Sequence, residues 1–433
     1  MGKVSLRTDE PAIRSPCRHN RSVIEWLHRV EPGRIFLQTE ERSWSYGQAV
    51  EEVEALITTW HRVIQPSLTP DSVFDIIAGI AGGGATVVGP EPETSEPGVD
   101  DLVVFTSGTT GSPKGVRLTM LNLTAAAVAS QEHLGHGPED NWLLAMPLHH
   151  VGGISIIVRQ AYCGGAITLL PRFDPITVAL AMQGRVTMVS VVPTMLGRLL
   201  EHGPYHGLRA VLIGGGPIPD SLLESASALG LPVLPTYGMT ETFGQVATLR
   251  PGSPVERKVH PLPGVEIRTD ANGRVAVKSA QVSPGYVGQP DRLDQWFVTN
   301  DLGEIDRDGA LRILGRVDTV IVTGGENVDP ERVEMVLRGH PDIEDAVVVG
   351  LPDPEWGQLI VCVFTGAAVR PGDWVSGRLP GFMVPKRWVR VRAIPSTPIG
   401  KPDRVETRLL AEQSADGGIE GEVEGETDPR GAQ

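Results

Sequence analysis

The chain is 433 residues long, more than one small core can use, and a prior of about 150 residues per domain divides it into two or three folding units. Its 53 acidic and 38 basic residues leave a net charge of -15 with no local lysine or arginine cluster to offset it, which argues against nucleic acid and anionic membrane as partners. Hydrophobic residues make up 40%, enough for sizeable cores, while 51 glycines and 36 prolines point to a globular protein rich in turns.

Cys17, Cys163 and Cys362 stand far apart, with neither a CxxC pair nor metal-ligand spacing, so no disulfide scaffold or zinc site is indicated. The start of the chain lacks a basic, apolar, small-residue signal, and a myristoylation pattern fails at Leu6. Apolar runs such as Ile154 to Val158 are far shorter than a membrane span. The expectation is a soluble, cytoplasmic protein. Gln413 to Gln433 hold six acidic residues against Arg430 alone, with few apolar residues to bury, and read as a disordered, solubilising tail.

Along the chain, short apolar runs alternate with helical patterns. Val103 to Phe105 reads as a strand, Thr119 to His133 as an alanine-rich helix capped by Thr119, and Val211 to Ile213 as another strand. A helix from Pro219 through Leu229 and a strand from Val233 to Tyr237 follow. Such alternation predicts an α/β architecture with a ligand site at the strand ends. From about Asp270 the texture changes to short β pieces, Arg274 to Lys278, Trp296 to Thr299 and, after the turn pair Asp308-Gly309, Ala310 to Leu314. A further compact α+β unit begins at Asp318, with strands Val320 to Val322, Ala346 to Val349 and Leu359 to Phe364 and a helix opening at Pro330. The expected division is a large N-terminal domain over residues 1–317, built of αβ layers and a β-rich subdomain, a small mobile α+β domain over 318–412, and the acidic tail over 413–433.

The most informative segment is TSGTTGSPKG, Thr106 to Gly115, placed after a strand and before a helix. Its glycines let backbone amides turn inward as an anion nest, its hydroxyls can donate to phosphate oxygens, and Lys114 supplies a point charge. A bland Ser/Gly linker would not sit between a buried strand and a helix in this order. No Walker A loop and no GxGxxG fingerprint occurs, so kinase and dinucleotide readings lose their signatures. Glu241 in YGMTET can offer hard oxygen to Mg2+, and Tyr237 offers a face for a base. Asp301 in TNDLG reads as a turn residue between two strands.

TSGTTGSPKG resembles the phosphate loop of the adenylate-forming superfamily of acyl-CoA synthetases, luciferases and peptide-synthetase adenylation domains, and further motifs follow in family order over roughly residues 20 to 410. The resemblance implies an acid-thiol ligase that uses ATP, Mg2+ and coenzyme A, with a small-molecule carboxylic acid as substrate. It assigns Thr106, Ser107, Gly108, Thr109, Thr110, Gly111 and Lys114 to the phosphates, and Glu241 and Thr106 to the metal. Tyr237, Thr240 and Gly214-Gly215-Gly216 go to the adenine side, and Asp301 to the ribose hydroxyls with Arg316 beside it. Asp318 of GRVD matches the hinge about which the small domain rotates, and Gly324-Gly325 match the path of the pantetheine arm. Lys401 of PSTPIGKPDR matches the lysine that reaches the α-phosphate in the first half-reaction.

Two features depart from the pattern. Val322-Thr323 precede Gly324 where a lysine is usual, and the region ahead of the phosphate loop is short, as in a compact subfamily. In PLHHVGGISIIVR, His149 and His150 lack a third ligand that would make a metal site. His150 takes the family's acyl-site histidine position, and the whole stretch looks like that of 2-succinylbenzoate CoA ligases of menaquinone biosynthesis, with Arg159 as a weak candidate for the second carboxylate of such a dianion. Another aryl or medium-chain acyl-CoA ligase, an adenylation enzyme loading a carrier protein, and a nucleotide or acyl-AMP sensor remain as alternatives. A homo-oligomer is left open.

Overall fold

In the computed structural model, residues 22–57, 62–82, 85–89, 102–106, 114–368, 371–396 and 402–414 are described. A nine-stranded sheet runs, in spatial order, through His260–Pro261, Gly244–Thr248, Val233–Met239, Ala210–Ile213, Met188–Val191, Asn141–Leu144, Ala166–Leu169, Ile35–Gln38 and Ser43–Ser45. The strands from Val233–Met239 to Ile35–Gln38 pair in parallel, and the flanking ones are antiparallel. Asn141–Leu144 and Ala210–Ile213 are buried at every position, as parallel strands covered on both faces must be.

A five-stranded sheet contains Gly285–Tyr286, Lys114–Leu118, Leu102–Thr106, Thr86–Val88 and Arg62–Ile64 in that order. Between it and the large sheet lie the helices Pro70–Ala81, Met120–Leu134 and Val151–Cys163, whose Ile76, Leu123 and Ile154 share one apolar cluster with Val104, Leu118 and Trp142. The opposite face of the large sheet is covered by Pro175–Met182, Pro193–Leu200 and Asp220–Ala228 through Val178, Leu196 and Leu223. Side chains set the helix starts: Thr119 and Asn122 form a reciprocal capping box ahead of Met120–Leu134, and Asp174 caps Pro175–Met182.

The β-rich part is a four-stranded antiparallel sheet, Glu266–Thr269, Arg274–Lys278, Phe297–Ile305 and Leu311–Arg316. Beyond Asp318 a five-stranded sheet contains Glu326–Val328, Ile321–Thr323, Gly357–Gly366, Ile343–Asp353 and Arg387–Arg390. Its long hairpin alternates as a two-sided strand should. Ala346, Val348, Ile360, Cys362 and Phe364 pack on the side of helix Pro330–Arg338, while Val347, Val349, Val361 and Val363 pack on the side of helix Arg404–Gln413. No helix among the described residues is long and apolar enough to cross a membrane.

Two expectations need correction. TSGTTGSPKG joins two antiparallel strands, Leu102–Thr106 and Lys114–Leu118, and the helix begins only at Met120. KGVRL buries Val116 and Leu118, a period-two pattern that belongs to a strand. Asp301 lies inside the nine-residue strand Phe297–Ile305, opposite Arg316, and not in a turn between strands. The loop residues Ser107, Gly108, Thr109, Thr110 and Gly111, the lysine Lys401 and nearly all of the acidic tail lie outside the described residues.

Glycine is required where Val233–Met239 meets Gly244–Thr248. A Cβ on Gly238 would overlap the Gly244 carbonyl, and Gly244 itself has φ +93°. Replacing Gly238 by alanine forces the two strands apart and is expected to destabilise the fold by about 3 kcal/mol, lowering the melting temperature by several degrees. An unchanged thermal or denaturant midpoint would contradict this packing.

Candidate active site

The YGMTET segment forms a tight reversal. The strand Val233–Met239 runs into the 3₁₀ turn Thr240–Thr242, and Phe243, buried and at φ 49°, swings the chain back into Gly244–Thr248. Left-handed backbone at a phenylalanine costs about 1–2 kcal/mol, which the buried Thr242 hydroxyl offsets by donating its proton to the Gly244 carbonyl (2.7 Å) and accepting the Met239 N–H (3.3 Å). The reversal places Tyr237 on one side and Glu241 on the other, with Thr240 at the tip.

Tyr237 reaches across to the four-stranded sheet. Its hydroxyl donates to Asp301 Oδ2 at 2.6 Å, and Arg316 Nη1 donates to Asp301 Oδ1 at 2.8 Å. Arg316 also grips Asp318 with two bonds, Nε to Oδ1 at 2.9 Å and Nη2 to Oδ2 at 2.8 Å, and Asn300 Nδ2 adds a longer one at 3.4 Å. Burial and then the Asp301 charge raise the Tyr237 pKa, so it remains a donor. For Arg316, burial opposes the charge, but the bonds to Asp318 and the charge of Asp301 outweigh it and drive the pKa up. Burial likewise works against the Asp318 carboxylate, yet the Arg316 contacts hold its pKa below the ordinary value. Tyr237, Asp301, Arg316 and Asp318, named separately from the sequence, therefore form one connected chain of hydrogen bonds.

On the other side, Glu241 Oε1 accepts the Tyr286 hydroxyl at 2.9 Å, and the Glu241 carbonyl accepts the Ser283 amide at 2.7 Å. Lys114 Nζ lies 6.0 Å from the Tyr286 ring centre, so the phosphate-loop lysine and Glu241 flank one tyrosine. The Thr106 hydroxyl donates to the Lys114 carbonyl at 3.4 Å across the two strands. Among the described residues no group of three His, Cys, Asp or Glu is gathered for a metal ion. Glu241 Oε2 has no hydrogen bond from a described residue, and one hard oxygen beside the tyrosine that Lys114 also approaches suits a cation that takes its remaining ligands from elsewhere, as Mg2+ does from phosphates and water.

The glycines behave unlike one another. A Cβ on Gly214 would stand 2.7 Å from the Thr236 carbonyl, so the strand Ala210–Ile213 ends in close contact with the neighbour that carries Tyr237, and Gly215 has φ +78°. Gly324 and Gly325, at φ +58° and +83°, turn the hairpin between Ile321–Thr323 and Glu326–Val328, and Gly324 N–H donates to the Trp356 carbonyl at 2.8 Å. Among the described residues no hydrogen bond or ion pair joins these two glycines to Glu241 or Asp301.

Arg159 is 5% exposed, far from a surface role. Its guanidinium lies 5.4 Å from the Trp142 ring centre, it has no carboxylate partner among the described residues, and its Nε lacks any hydrogen bond. A terminal nitrogen would be 3.9 Å from a Cβ on Gly244, so the cation abuts the reversal that carries Glu241. Burial lowers its pKa to about 10, which leaves it charged at neutral pH. His136 stands edge-on to the same Trp142 at 5.4 Å with both ring nitrogens unpaired. His150 occupies the N-cap of the helix Val151–Cys163 that carries Arg159, and its ring lies 4.3 Å from that of His149.

Sequence reasoning missed Tyr286, Ser283, Trp142 and His136. Tyr286 carried one usable signal, being one of five tyrosines in the chain and set in a turn-rich stretch, although its ring also packs against the main apolar cluster. His136 carried none, because its neighbours Trp142 and Arg159 come from a following strand and a helix.

Phosphate-loop strands flanking a carboxylate with a free oxygen, and an acidic hub at the approach to a C-terminal α+β unit, define a nucleotide-handling enzyme. The chain matches the AMP-binding enzyme family over residues 64–287 and the AMP-binding enzyme C-terminal domain over 332–401, and it belongs to that family. It is 38% identical over 341 residues to the 2-succinylbenzoate--CoA ligase of Bacillus mycoides (strain KBAB4), covering 72% of this chain and 70% of that one. Identity to the enzyme of the same name from Bacillus cytotoxicus is 34% over 404 residues, covering 87% and 82%. Among solved structures, o-succinylbenzoate CoA synthetase (MenE) from Bacillus subtilis with ATP and magnesium ion superposes with a TM-score of 0.79 at 26% identity, covering 89% of this chain and 99% of that one. A double mutant of that synthetase bound with its product analogue OSB-NCoA gives a TM-score of 0.64 at 26% identity, covering 90% and 98%.

His136 generates a pH prediction. Burial, with the Arg159 charge second, lowers its pKa from 6.5 to about 4, so the unfolded chain takes up a proton that the folded chain refuses. This contribution is complete above pH 6.5 and is lost as pH falls toward 4, by roughly 3 kcal/mol in full. Denaturant titrations of the wild type and His136→Phe between pH 7 and pH 4 should show the variant losing less stability on acidification, and parallel losses would remove His136 as the source.

Proposed function

We propose that this chain is an ATP-dependent 2-succinylbenzoate–CoA ligase of menaquinone biosynthesis, acting in the cytoplasm through an acyl adenylate. The observation that carries the substrate is Arg159, a buried cation without a counter-ion among the described residues, beside the reversal that bears Tyr237 and Glu241. An unpaired buried charge is costly, and a dianionic acid supplies what is missing: one carboxylate reacts while the other pairs with Arg159. The names of the relatives support the same substrate.

A carboxylate is a poor acyl donor because its leaving group would be oxide, and transfer to AMP provides a better one. In the first half-reaction a substrate carboxylate oxygen forms a bond to the α-phosphorus of ATP while the bond from that phosphorus to the bridging oxygen breaks and pyrophosphate leaves. Lys114, with Thr106 and the loop residues Ser107, Gly108, Thr109, Thr110 and Gly111, holds the phosphates, and Lys401 offsets the charge that develops on the α-phosphate. Glu241, with Thr106 near it, would hold Mg2+, which when bound neutralises phosphate charge. The ring of Tyr237 faces adenine, with Gly214-Gly215-Gly216 and Thr240 along the pocket, and Asp301 accepts from the ribose hydroxyls with Arg316 adjacent. His150 lines the acyl side. In the second half-reaction the sulfur of CoA, entering along Gly324-Gly325, attacks the acyl carbon, the bond to AMP breaks, and the thiol proton passes to solvent.

The unit over residues 318–412 turns about Asp318 between these steps. Supporting this, the chain's arrangement lies nearer to the relative bound to ATP and magnesium than to the one bound to the product analogue, at equal identity and nearly equal coverage. No enzyme nucleophile is needed, which suits a site without a Ser-His-Asp or Cys-His constellation.

The test is to incubate the protein with ATP, Mg2+, CoA and a panel of carboxylic acids, following AMP and thioester. Thioester forming best with 2-succinylbenzoate is expected; AMP without thioester for every acid would indicate carrier-protein loading, and no AMP at all a nucleotide sensor. Arg159→Met, which keeps the bulk, should raise the KM for 2-succinylbenzoate roughly 10- to 100-fold, the size of a lost charged hydrogen bond, while sparing monocarboxylic acids. An unchanged KM removes Arg159 from the acyl site. Lys401→Ala should slow adenylate formation far more than thiolysis of supplied acyl adenylate, and equal losses would contradict rotation about Asp318.

A further inference from the structure

Tyr286 belongs to none of the motifs that point to nucleotide chemistry, yet it is where the phosphate-loop strand, Glu241 and the β-rich part of the chain meet. Its two-residue strand pairs antiparallel with Lys114–Leu118, setting Gly285 opposite Arg117 and Tyr286 opposite Val116. Neighbouring bonds fix that register: Val287 N–H donates to the Gly115 carbonyl at 2.9 Å, and Ser283 Oγ donates to the Arg117 carbonyl at 2.6 Å. Arg117 is ion-paired with Asp291 at 2.7 Å. The same segment holds the Glu241 backbone through Ser283 N–H and its side chain through the Tyr286 hydroxyl.

A glutamate side chain has three rotatable bonds, and leaving it free would cost entropy whenever a cation had to be met in one geometry. Here Oε1 is held at 2.9 Å by a hydroxyl on a backbone-paired strand, and Oε2 is left as the free oxygen. The ring of the same tyrosine lies 6.0 Å from Lys114 Nζ, within range of a cation–π contact that favours a lysine kept near the phosphates.

We infer that Tyr286 is a positioning residue that aims the free oxygen of Glu241 at the metal ion of the nucleotide complex and keeps Lys114 beside it. This rests on the reading of Glu241 as the metal ligand. Tyr286 acts through these two side chains and not on the reacting atoms, so its effect falls on metal dependence and on the first half-reaction alone, because the attack of a thiol on a preformed acyl adenylate releases no pyrophosphate.

The experiment compares wild type, Tyr286→Phe, Tyr286→Leu and Glu241→Gln in the full chain. Mn2+ binding in the presence of α,β-methylene-ATP, which cannot be cleaved at the α-phosphorus, is followed by electron paramagnetic resonance. Tyr286→Phe, which keeps the ring and loses only the hydroxyl, should weaken Mn2+ binding roughly tenfold, as one hydrogen bond to a charged group would. Its pyrophosphate exchange should need more Mg2+ by a similar factor and recover at high Mg2+, with thiolysis of supplied acyl adenylate and melting temperature unchanged. Tyr286→Leu should lose ATP affinity as well. If Glu241→Gln weakens Mn2+ binding and Tyr286→Phe does not, the positioning role is overturned while the metal reading stands. If neither weakens it, the metal reading falls and takes this inference with it. Equal losses in both half-reactions, or a lowered melting temperature in Tyr286→Phe, would also overturn the inference by making the tyrosine merely structural.

Discussion

Three parts of this chain converge on the carboxylate of Asp301. One oxygen accepts Tyr237 from the large sheet, the other accepts Arg316 from the adjacent strand, and Arg316 passes the contact to Asp318 at the approach to the C-terminal unit. Asp301 is 7% exposed, and a carboxylate so placed is tolerable only when its oxygens are paired. The rest of the site inherits this constraint. Tyr237 must leave its strand at an angle that reaches Asp301, so the strand must pair with Gly244–Thr248 through a register shift after Tyr237, and that shift needs Gly238 against Gly244. A ligand that donates to an oxygen of Asp301 shares it with the tyrosine or the arginine, and the arginine links that carboxylate to Asp318 through a single side chain.

Among the described residues, two contacts between the large region and the C-terminal unit are specific. Gly315, at φ +152°, admits Asp329, whose carboxyl carbon would stand 2.7 Å from a Cβ at that position. Arg257, ion-paired with Asp220 at 2.7 Å, extends a guanidinium nitrogen to Met335 Sδ at 3.1 Å. Neither is a buried apolar interface of the kind that locks two units together, which agrees with a proposed rotation about Asp318.

Much of this was legible in the sequence because the information was local. The strand read as Val233 to Tyr237, the cap at Thr119, the helix at Pro330 and the C-terminal strands Ala346 to Val349 and Leu359 to Phe364 follow from residue types within a few positions of each other. Where local signals competed, the reading failed. Val116 and Leu118 were hidden by the strong helix pattern that begins two residues later, and Asp301 looked like a turn because Asn-Asp-Leu-Gly has turn composition, although pairing with Arg316 holds it extended. Tyr286 and His136 were overlooked for another reason: each gains its meaning from partners six or more residues away, Glu241 for the first, Trp142 and Arg159 for the second.

The net charge of -15 illustrates the same division between global and local. At physiological salt an exposed charge is screened within about 8 Å, so the acidic surface and tail say little about the buried Arg159. On the proposed reading the group that matters is Arg159, kept charged against Trp142, with His136 held neutral beside it so that no second charge would compete for a bound carboxylate. If Arg159 meets the second carboxylate as proposed, an acid with a neutral tail would leave that cation buried and unpaired, and selection would come from the cost imposed on the wrong substrate as much as from the contact offered to the right one.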